Sequence, residues 1–308
     1  MAAWHGAVQP GCVYPANHPL PLSPEARLSA LAPLLASSPA VPVVVALLGA
    51  CVGSFLNVVA WRLPREESVV LPPSHCPRCG SRLRWFENVP LLGWLLLRGR
   101  CGHCGAPISC RYPLVELLSA GLWVAALLAQ PSAMGPNPQP WLLVAAGWLL
   151  LSWLLPLVLI DIDRLWLPEP LCRVGLLLGL AVTAVIGFQQ GSETGRELLF
   201  HHLVAAGVGL VGFETVSALA HKAIGRPALG LGDAKLAALL GAWLGLTGLG
   251  ITVILAVFAG AVLGSIGRLS GLLGKHQPFP FGPFLAAGGA AVWLLGNDLW
   301  LAVLGLVW

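Results

Sequence analysis

The sequence predicts an all-α polytopic membrane protein with about eight transmembrane helices, and three observations lead there. Hydrophobic residues make up 57% of the chain and charged residues 10%, against about 25% charged residues in soluble globular domains. Mean hydropathy is +0.81. Apolar runs recur at 41–61, 114–130, 141–160, 171–188, 199–220, 234–247, 250–267 and 283–306, most of them close to the roughly 20 residues that cross a bilayer as a helix. The sixth run is short, and a Gly-rich link ties it tightly to the seventh.

Residues 1–38 are rich in Pro and Ala and carry few charges. They lack the compact charged, apolar and cleavage regions of a signal peptide and read as a poorly ordered leader. Residues 39–61 form the first span. The segment 62–113 holds eight of the 17 basic residues against three glutamates, Glu66, Glu67 and Glu87. A nucleic-acid partner would suit such a patch. Between two apolar runs, however, the positive-inside rule accounts for it, and no nucleic acid is expected. With this loop in the cytoplasm, the loops 131–140 and 189–198 fall outside and the segments 221–232 and 268–282 return inside. Lys222, Arg226, Arg268 and Lys275 then obey the rule, and Arg196 is the exception. Residues 114–308 make up the remaining, membrane-embedded domain.

This topology returns Asp161 and Asp233 to the same membrane face. They are two of only four aspartates, with Asp163 and Asp298. An acid at the bilayer centre costs about 2.5–3.5 kcal/mol on insertion scales, so membrane carboxylates tend to be functional. That cost falls near the interface, where capping or snorkelling is the plainer role. Asp161 and Asp163 lie two positions apart on a helix and point in nearly opposite directions, so one of them is expected to pair with Asp233. Paired carboxylates share a proton. One then serves as base toward a water, and the other as acid toward a scissile carbonyl and its leaving amine. Gly230 and Gly232 let the backbone bend and a substrate strand approach. Lys235 places a positive charge beside Asp233, or snorkels to the interface. Asp298, near the outer face, reads as an interfacial polar residue.

In the basic loop, 76-CPRC-79 and 101-CGHC-104 form a CxxC-x21-CxxC pattern. Cys76, Cys79, Cys101 and Cys104 at this spacing can close a tetrahedral structural zinc site. A cytoplasmic loop disfavours disulfides, and four thiolates leave no open position for zinc catalysis. Cys110 stands outside the pattern, and Cys12, Cys51 and Cys172 read as leader or span residues.

The chain resembles the bacterial type IV prepilin peptidases, the leader peptidase/N-methyltransferase family of membrane aspartic peptidases with a GxGD motif. The resemblance rests on 53-GSFLNVVAWRLP-64, on CPRC through 87-ENVPLLGWLLLRGRCGHCGAPISCRYPLVELLSA-120, on 160-IDIDRLWLP-168, on 230-GLGDAKLAALLGAWLG-245 and on 280-PFGPFLAAGG-289. It implies a catalytic pair at Asp161 and Asp233. Asp161 is favoured over Asp163 because Pro168 follows it by seven positions, and Asp163 would tune or position its neighbour. Glu169 departs from the pattern, which usually has Asp or Asn after the proline. The resemblance further implies prepilin or pseudopilin substrates cut after a basic leader at the cytoplasmic membrane, and methylation of the new amino terminus with S-adenosylmethionine as donor. The residues themselves carry no methyl-donor signature. Glu87 reads as a solvated loop acid, the alternative being to orient an amine. Glu116 is expected to pair with Arg111 or another loop arginine, the alternative being methyl transfer. Two rival classes remain: a transporter, which suits intramembrane acids but does not account for the cysteine tetrad or the order of the motifs, and a non-catalytic assembly factor that binds a partner through the zinc loop, for which Asp161→Asn and Asp233→Asn would be silent and loss of Cys76 would not.

Overall fold

The computed structural model describes residues 40–129, 139–225, 230–271, 274 and 279–306. The leader 1–38, with Cys12, lies outside the described residues, as do 131–138, Arg226 and Lys275. The described residues are helical, without strands. In chain order the helices are α1 (Ala40–Arg62), α2 (Leu92–Leu96), α3 (Arg111–Leu128), α4 (Gln139–Arg164), α5 (Glu169–Gln190), α6 (Ser192–Ile224), α7 (Leu231–Leu269), α8 (Gly282–Leu295) and α9 (Asn297–Val303).

Six of these are long and apolar enough to cross a membrane, or seven if α8 and α9, bent by 108° to one another, count as one span. The expected sixth and seventh spans, 234–247 and 250–267, are not separated by a loop; both fall within α7. A straight helix of its 39 residues would be about 58 Å long at 1.5 Å per residue, roughly twice the hydrocarbon thickness. It does not stay straight. Gly245 adopts φ 68°, ψ −176°, a backbone region open essentially to glycine alone. Neighbouring residues of α8 report the direction of the chain on either side. A Cβ on Gly289 would fall 2.5 Å from Leu240 Cδ2, and one on Gly288 would fall 2.8 Å from the Thr252 carbonyl oxygen. Leu240 and Thr252 therefore lie at the same level, although a straight helix would set them about 18 Å apart. The chain reverses at Gly245, giving a short leg from Leu231 and a longer one to Leu269. Polar side chains from two other helices meet the carbonyl of Ala242 beside the break: His202 Nδ1 lies 3.0 Å from it and Thr183 Oγ1 donates to it at 3.3 Å. Such partners are what an interrupted helix requires inside a membrane.

Small residues let the helices pack closely, as membrane interfaces favour. On α1, Gly49 and Gly53 form a GxxxG face against α3, where a Cβ would meet Trp123 Cβ at 2.9 Å and Ser119 Cβ at 2.7 Å. Ser119 donates to the Gly49 carbonyl at 2.7 Å across that contact. The main core joins α4, α5, α7 and α8 through Leu150, Leu154, Leu157, Cys172, Leu236, Leu240 and Leu285. Two indoles brace it: Trp153 Nε1 donates to the Leu171 carbonyl and Trp243 Nε1 to the Gly175 carbonyl, both at 2.9 Å.

Between α1 and α3 lies the basic loop. Arg62, buried at the end of α1, donates to the carbonyls of Ser68 (3.0 Å) and Pro72 (2.8 Å) and fixes the loop's entry. Trp85, Leu92, Leu95 and Leu96 are exposed on the loop's apolar stretch.

Candidate active site

Asp161 sits in the last turn of α4, and Asp233 in the first turn of α7. The charge of Asp233 acts on Asp161, and Leu167, which follows α4, packs against Gly232 beside Asp233. Asp161 is only 5% exposed; its Oδ2 has no hydrogen-bond partner among the described residues, although the Gly282 backbone also acts on the carboxyl. Buried polar atoms are rarely left so. Asp233 is half-buried. Its Oδ2 accepts from the Gly230 N–H, and its own N–H donates to the Gly230 carbonyl, both at 3.1 Å. The capping role is therefore real, but the contact engages one carboxylate oxygen.

Glycines bring the backbones close enough for this. A Cβ on Gly232 would fall 3.0 Å from Leu167 Cβ. A Cβ on Gly282 would fall 2.5 Å from Asp161 Oδ2 and 3.5 Å from Leu167 Cδ1. Leu167, 6% exposed, thus sits against Gly232 and Gly282 beneath the acids. Neither Gly282 nor Leu167 was assigned a role from sequence. The signal for Gly282 was its place in the 280-PFGPFLAAGG-289 stretch.

Asp163 faces away from this pair. Arg111 Nη1 binds its Oδ1 at 2.6 Å, joining the start of α3 to the end of α4, with both side chains more than a third exposed. Lys235 neither faces Asp233 nor runs free to the interface: its Nζ lies 2.8 Å from Glu169 Oε2. Glu169, the departure from the family pattern, therefore ties the start of α5 to the start of α7. Asp298 is exposed in the first turn of α9.

The four loop cysteines converge, their Sγ atoms all within 4.8 Å of one another. Cys76 and Cys104 Sγ are 3.9 Å apart, close to the roughly 3.8 Å edge of a tetrahedron with Zn–S bonds of about 2.3 Å. The two halves repeat one design. The Gly80 N–H donates to the Cys76 carbonyl (2.9 Å) and the Gly105 N–H to the Cys101 carbonyl (3.0 Å), with left-handed Gly80 (φ 69°) and Gly105 (φ 68°) closing each turn. An antiparallel bridge flanks each turn, His75 with Arg82 and Arg100 with Pro107. Hydrogen bonding to Ser81 brings the Cys79 thiol down to about 6, and the amides of Cys104 and His103 lower Cys101. Cys104 is drawn down by the Ala106 backbone but pushed up on balance, to about 11, by desolvation and by the neighbouring thiols Cys79, Cys101 and Cys76. Four thiols this close ionise together only around a cation, so the donor set fits a structural zinc ion.

Two expectations for the loop acids are corrected. Among the described residues Glu116 pairs with no arginine: it is 7% exposed, and its Oε2 accepts from the Leu91 N–H at 2.7 Å. Arg111 is drawn away by Asp163 on another helix. Glu87 is not a solvated acid: it is half-buried, and its Oε2 accepts from the Arg84 N–H at 2.7 Å, capping the turn Trp85–Asn88.

Residues 47–130 match the family described as Bacterial Peptidase A24 N-terminal domain, and residues 148–265 match the Type IV leader peptidase family. The chain is 43% identical over 217 residues to the prepilin leader peptidase/N-methyltransferase of Myxococcus xanthus (strain DK1622), covering 70% of this chain and 60% of that protein. It is 37% identical over 283 residues to the protein of the same name from Burkholderia pseudomallei (strain 1026b), covering 84% of this chain and 86% of that one. It is 36% identical over 270 residues to the type 4 prepilin-like proteins leader peptide-processing enzyme of Escherichia coli O78:H11, covering 82% and 93%. No solved structure matches the chain.

Proposed function

The chain belongs to the type IV leader peptidase family, and from that premise we propose that it removes the basic leader of prepilins or pseudopilins with Asp161 and Asp233 as its acid pair, then methylates the new amino terminus. The observation that carries the aspartic mechanism is the buried Asp161 carboxyl, with Oδ2 unpartnered and the Asp233 charge acting on it.

In this mechanism one carboxylate takes a proton from water as the water oxygen bonds to the scissile carbonyl carbon. The other carboxyl gives its proton to the carbonyl oxygen. Collapse of the resulting diol breaks the C–N bond, the nitrogen takes a proton from the first carboxyl, and the second recovers its own from the diol. Atoms and charges balance without a metal. Leu167, Gly232 and Gly282 hold the two acids in register.

The active site faces the cytoplasm in this reading. Arg111 binds Asp163, so the Arg-rich loop lies at the same end of the bundle as the acids. The positive-inside rule assigns that end to the cytoplasm, here of a bacterial inner membrane. The loop's own charge does not attract a basic leader; Glu66 and Glu67, exposed beyond the end of α1, are suited to meet it. Cys76, Cys79, Cys101 and Cys104 hold a structural zinc ion that folds the loop, and S-adenosylmethionine supplies the methyl group.

The test is to reconstitute the protein in liposomes with a peptide carrying a short basic leader, a Gly-Phe junction and an apolar helix. The products are read by mass, with and without S-adenosylmethionine. The expected result is a leaderless peptide, gaining a methyl mass when the donor is present. An uncut peptide in the presence of folded, zinc-loaded protein contradicts the proposal.

A further inference from the structure

One carboxylate of the membrane domain has no part in the mechanism above. Glu214 lies on α6, in the run 203-LVAAGVGLVGFETVSALA-220, where it is the one Asp, Glu, Lys or Arg. It is exposed, and among the described residues no ion pair reaches it. An acid inside an apolar run costs insertion energy and is seldom kept without a use.

Three contacts between α6 and the first leg of α7 fix its depth. His202 Nδ1 lies 3.0 Å from the Ala242 carbonyl oxygen. A Cβ on Gly241 would fall 2.6 Å from the Ala205 carbonyl oxygen, and one on Gly209 would fall 2.8 Å from that of Ala237. The two segments therefore run antiparallel, and each step of four along α6 matches a step of four back along α7. The next step sets Phe213 and Glu214 level with Asp233. A separate contact agrees. The Phe213 ring lies 6.4 Å from that of Phe281, the residue before Gly282, whose Cβ would meet Asp161 Oδ2. Phe213 packs on the main core, while Glu214 beside it is exposed. Two other acids at this end of the bundle are already engaged, Asp163 by Arg111 and Glu169 by Lys235.

We infer that Glu214 selects the substrate by receiving a lysine or arginine of the basic leader close to the scissile bond. The inference rests on the leader-peptidase function proposed above and deepens it with a specificity residue. Packed helices stand about 8–10 Å apart, and an extended peptide rises about 3.3 Å per residue. A leader held at Asp233 therefore brings a cation to Glu214 about two to four residues before the bond that is cut. Glu66 and Glu67, beyond the end of α1, are left for cations farther back along the leader. Val211, Val216 and Leu219 are exposed on the same helix and border the acid with apolar surface, so a cation beside it is screened less than one in open water.

The test is steady-state cleavage by the full-length, zinc-loaded protein in liposomes. The peptides carry a single leader lysine, moved one position at a time, or glutamine or glutamate in its place. Wild type is expected to show its lowest KM with the lysine two to four residues before the junction. Glu214→Gln should raise KM for that peptide about tenfold, the scale of one charged contact, with a much smaller change in kcat and in cleavage of the glutamine peptide. Glu214→Lys should reverse the preference, favouring the glutamate peptide over the lysine peptide. An unchanged KM for the lysine peptide in Glu214→Gln, or equal loss on every peptide as a purely structural role would give, overturns the assignment. Zinc content and thermal melting report folding. If the variants do not fold, carbodiimide coupling of the leader lysine to wild type carries the test: a bond to Glu214, located by mass, supports it, and bonds only to other acids, or none, overturn it. A wild type that cuts every peptide with the same KM removes the role of Glu214 and leaves the peptidase function standing. A wild type that cuts no peptide overturns both.

Discussion

Gly282 lies so close to Asp161 that a Cβ at this position would fall 2.5 Å from the carboxylate Oδ2. No side chain fits there without moving the acid. Gly282→Ala is therefore expected to lower the cleavage rate by roughly 100-fold, the cost of displacing a reacting group by about 1 Å. Zinc content and helicity should stay normal. Wild-type cleavage by this variant, read from peptide products, contradicts the placement.

The ion pair between Lys235 and Glu169 joins the starts of α7 and α5 at 2.8 Å, but both side chains are more than a third exposed. An exposed pair contributes about 0–1 kcal/mol. Lys235→Met and Glu169→Gln should each leave thermal stability nearly unchanged and slow cleavage only a few-fold. Loss comparable to that of an aspartate variant would mean that Lys235 acts in the chemistry.

Asp163 offers the complementary control. Its bond to Arg111 is a strut between α3 and α4. Asp163→Asn should retain most of its cleavage activity, and Arg111→Met should behave alike, as expected if the two act as one contact. Strongly different effects in a double-mutant comparison would separate them.

Zinc removal should divide the two activities. Structural zinc contributes on the order of 10–16 kcal/mol of apparent binding at neutral pH, and the loop's buried apolar cluster consists of Cys76, Cys101 and Ala106. Cys76→Ser, or a strong chelator, should make residues 63–110 sensitive to proteolysis and abolish methyl transfer. Cleavage should fall much less, because α4, α5, α7 and α8 pack around the acids through a separate core. Simultaneous loss of both activities would show that the loop also organises the peptidase.

Gly245 tests the chain reversal. A side chain at φ 68°, ψ −176° costs roughly 1–3 kcal/mol, and it would also stand 3.2 Å from His202 Nε2. Gly245→Ala should lower the melting temperature in detergent. An unchanged melt would mean that the break is not needed where it stands.

Much of this was legible in the sequence because it depends on local periodicity. The i, i+2 spacing of Asp161 and Asp163 sends them to different sides of one helix, and the structure separates them in that way, one toward Asp233 and the other to Arg111. The CxxC pairs announced their own convergence. What escaped was either long-range or conformational. Arg111 was matched to Glu116 on its own helix, but an end-of-helix arginine reaches the neighbouring helix just as easily, and Asp163 was there. The link between the sixth and seventh apolar runs offered several glycines, 245, 248 and 250, and hydropathy does not distinguish the one that turns. Gly282 lacks a side chain to suggest a role; its significance appears only when Asp161 is placed against it.

The measurement that tests the central claim most directly compares liposome-reconstituted wild type, Asp161→Asn, Asp163→Asn and Asp233→Asn on the same leader peptide, with products resolved by mass. Asn preserves shape and removes the proton chemistry. The account predicts no cleavage by the 161 and 233 variants, retained zinc in all four proteins, and cleavage by the 163 variant. Normal processing by either Asp161→Asn or Asp233→Asn would contradict the acid pair.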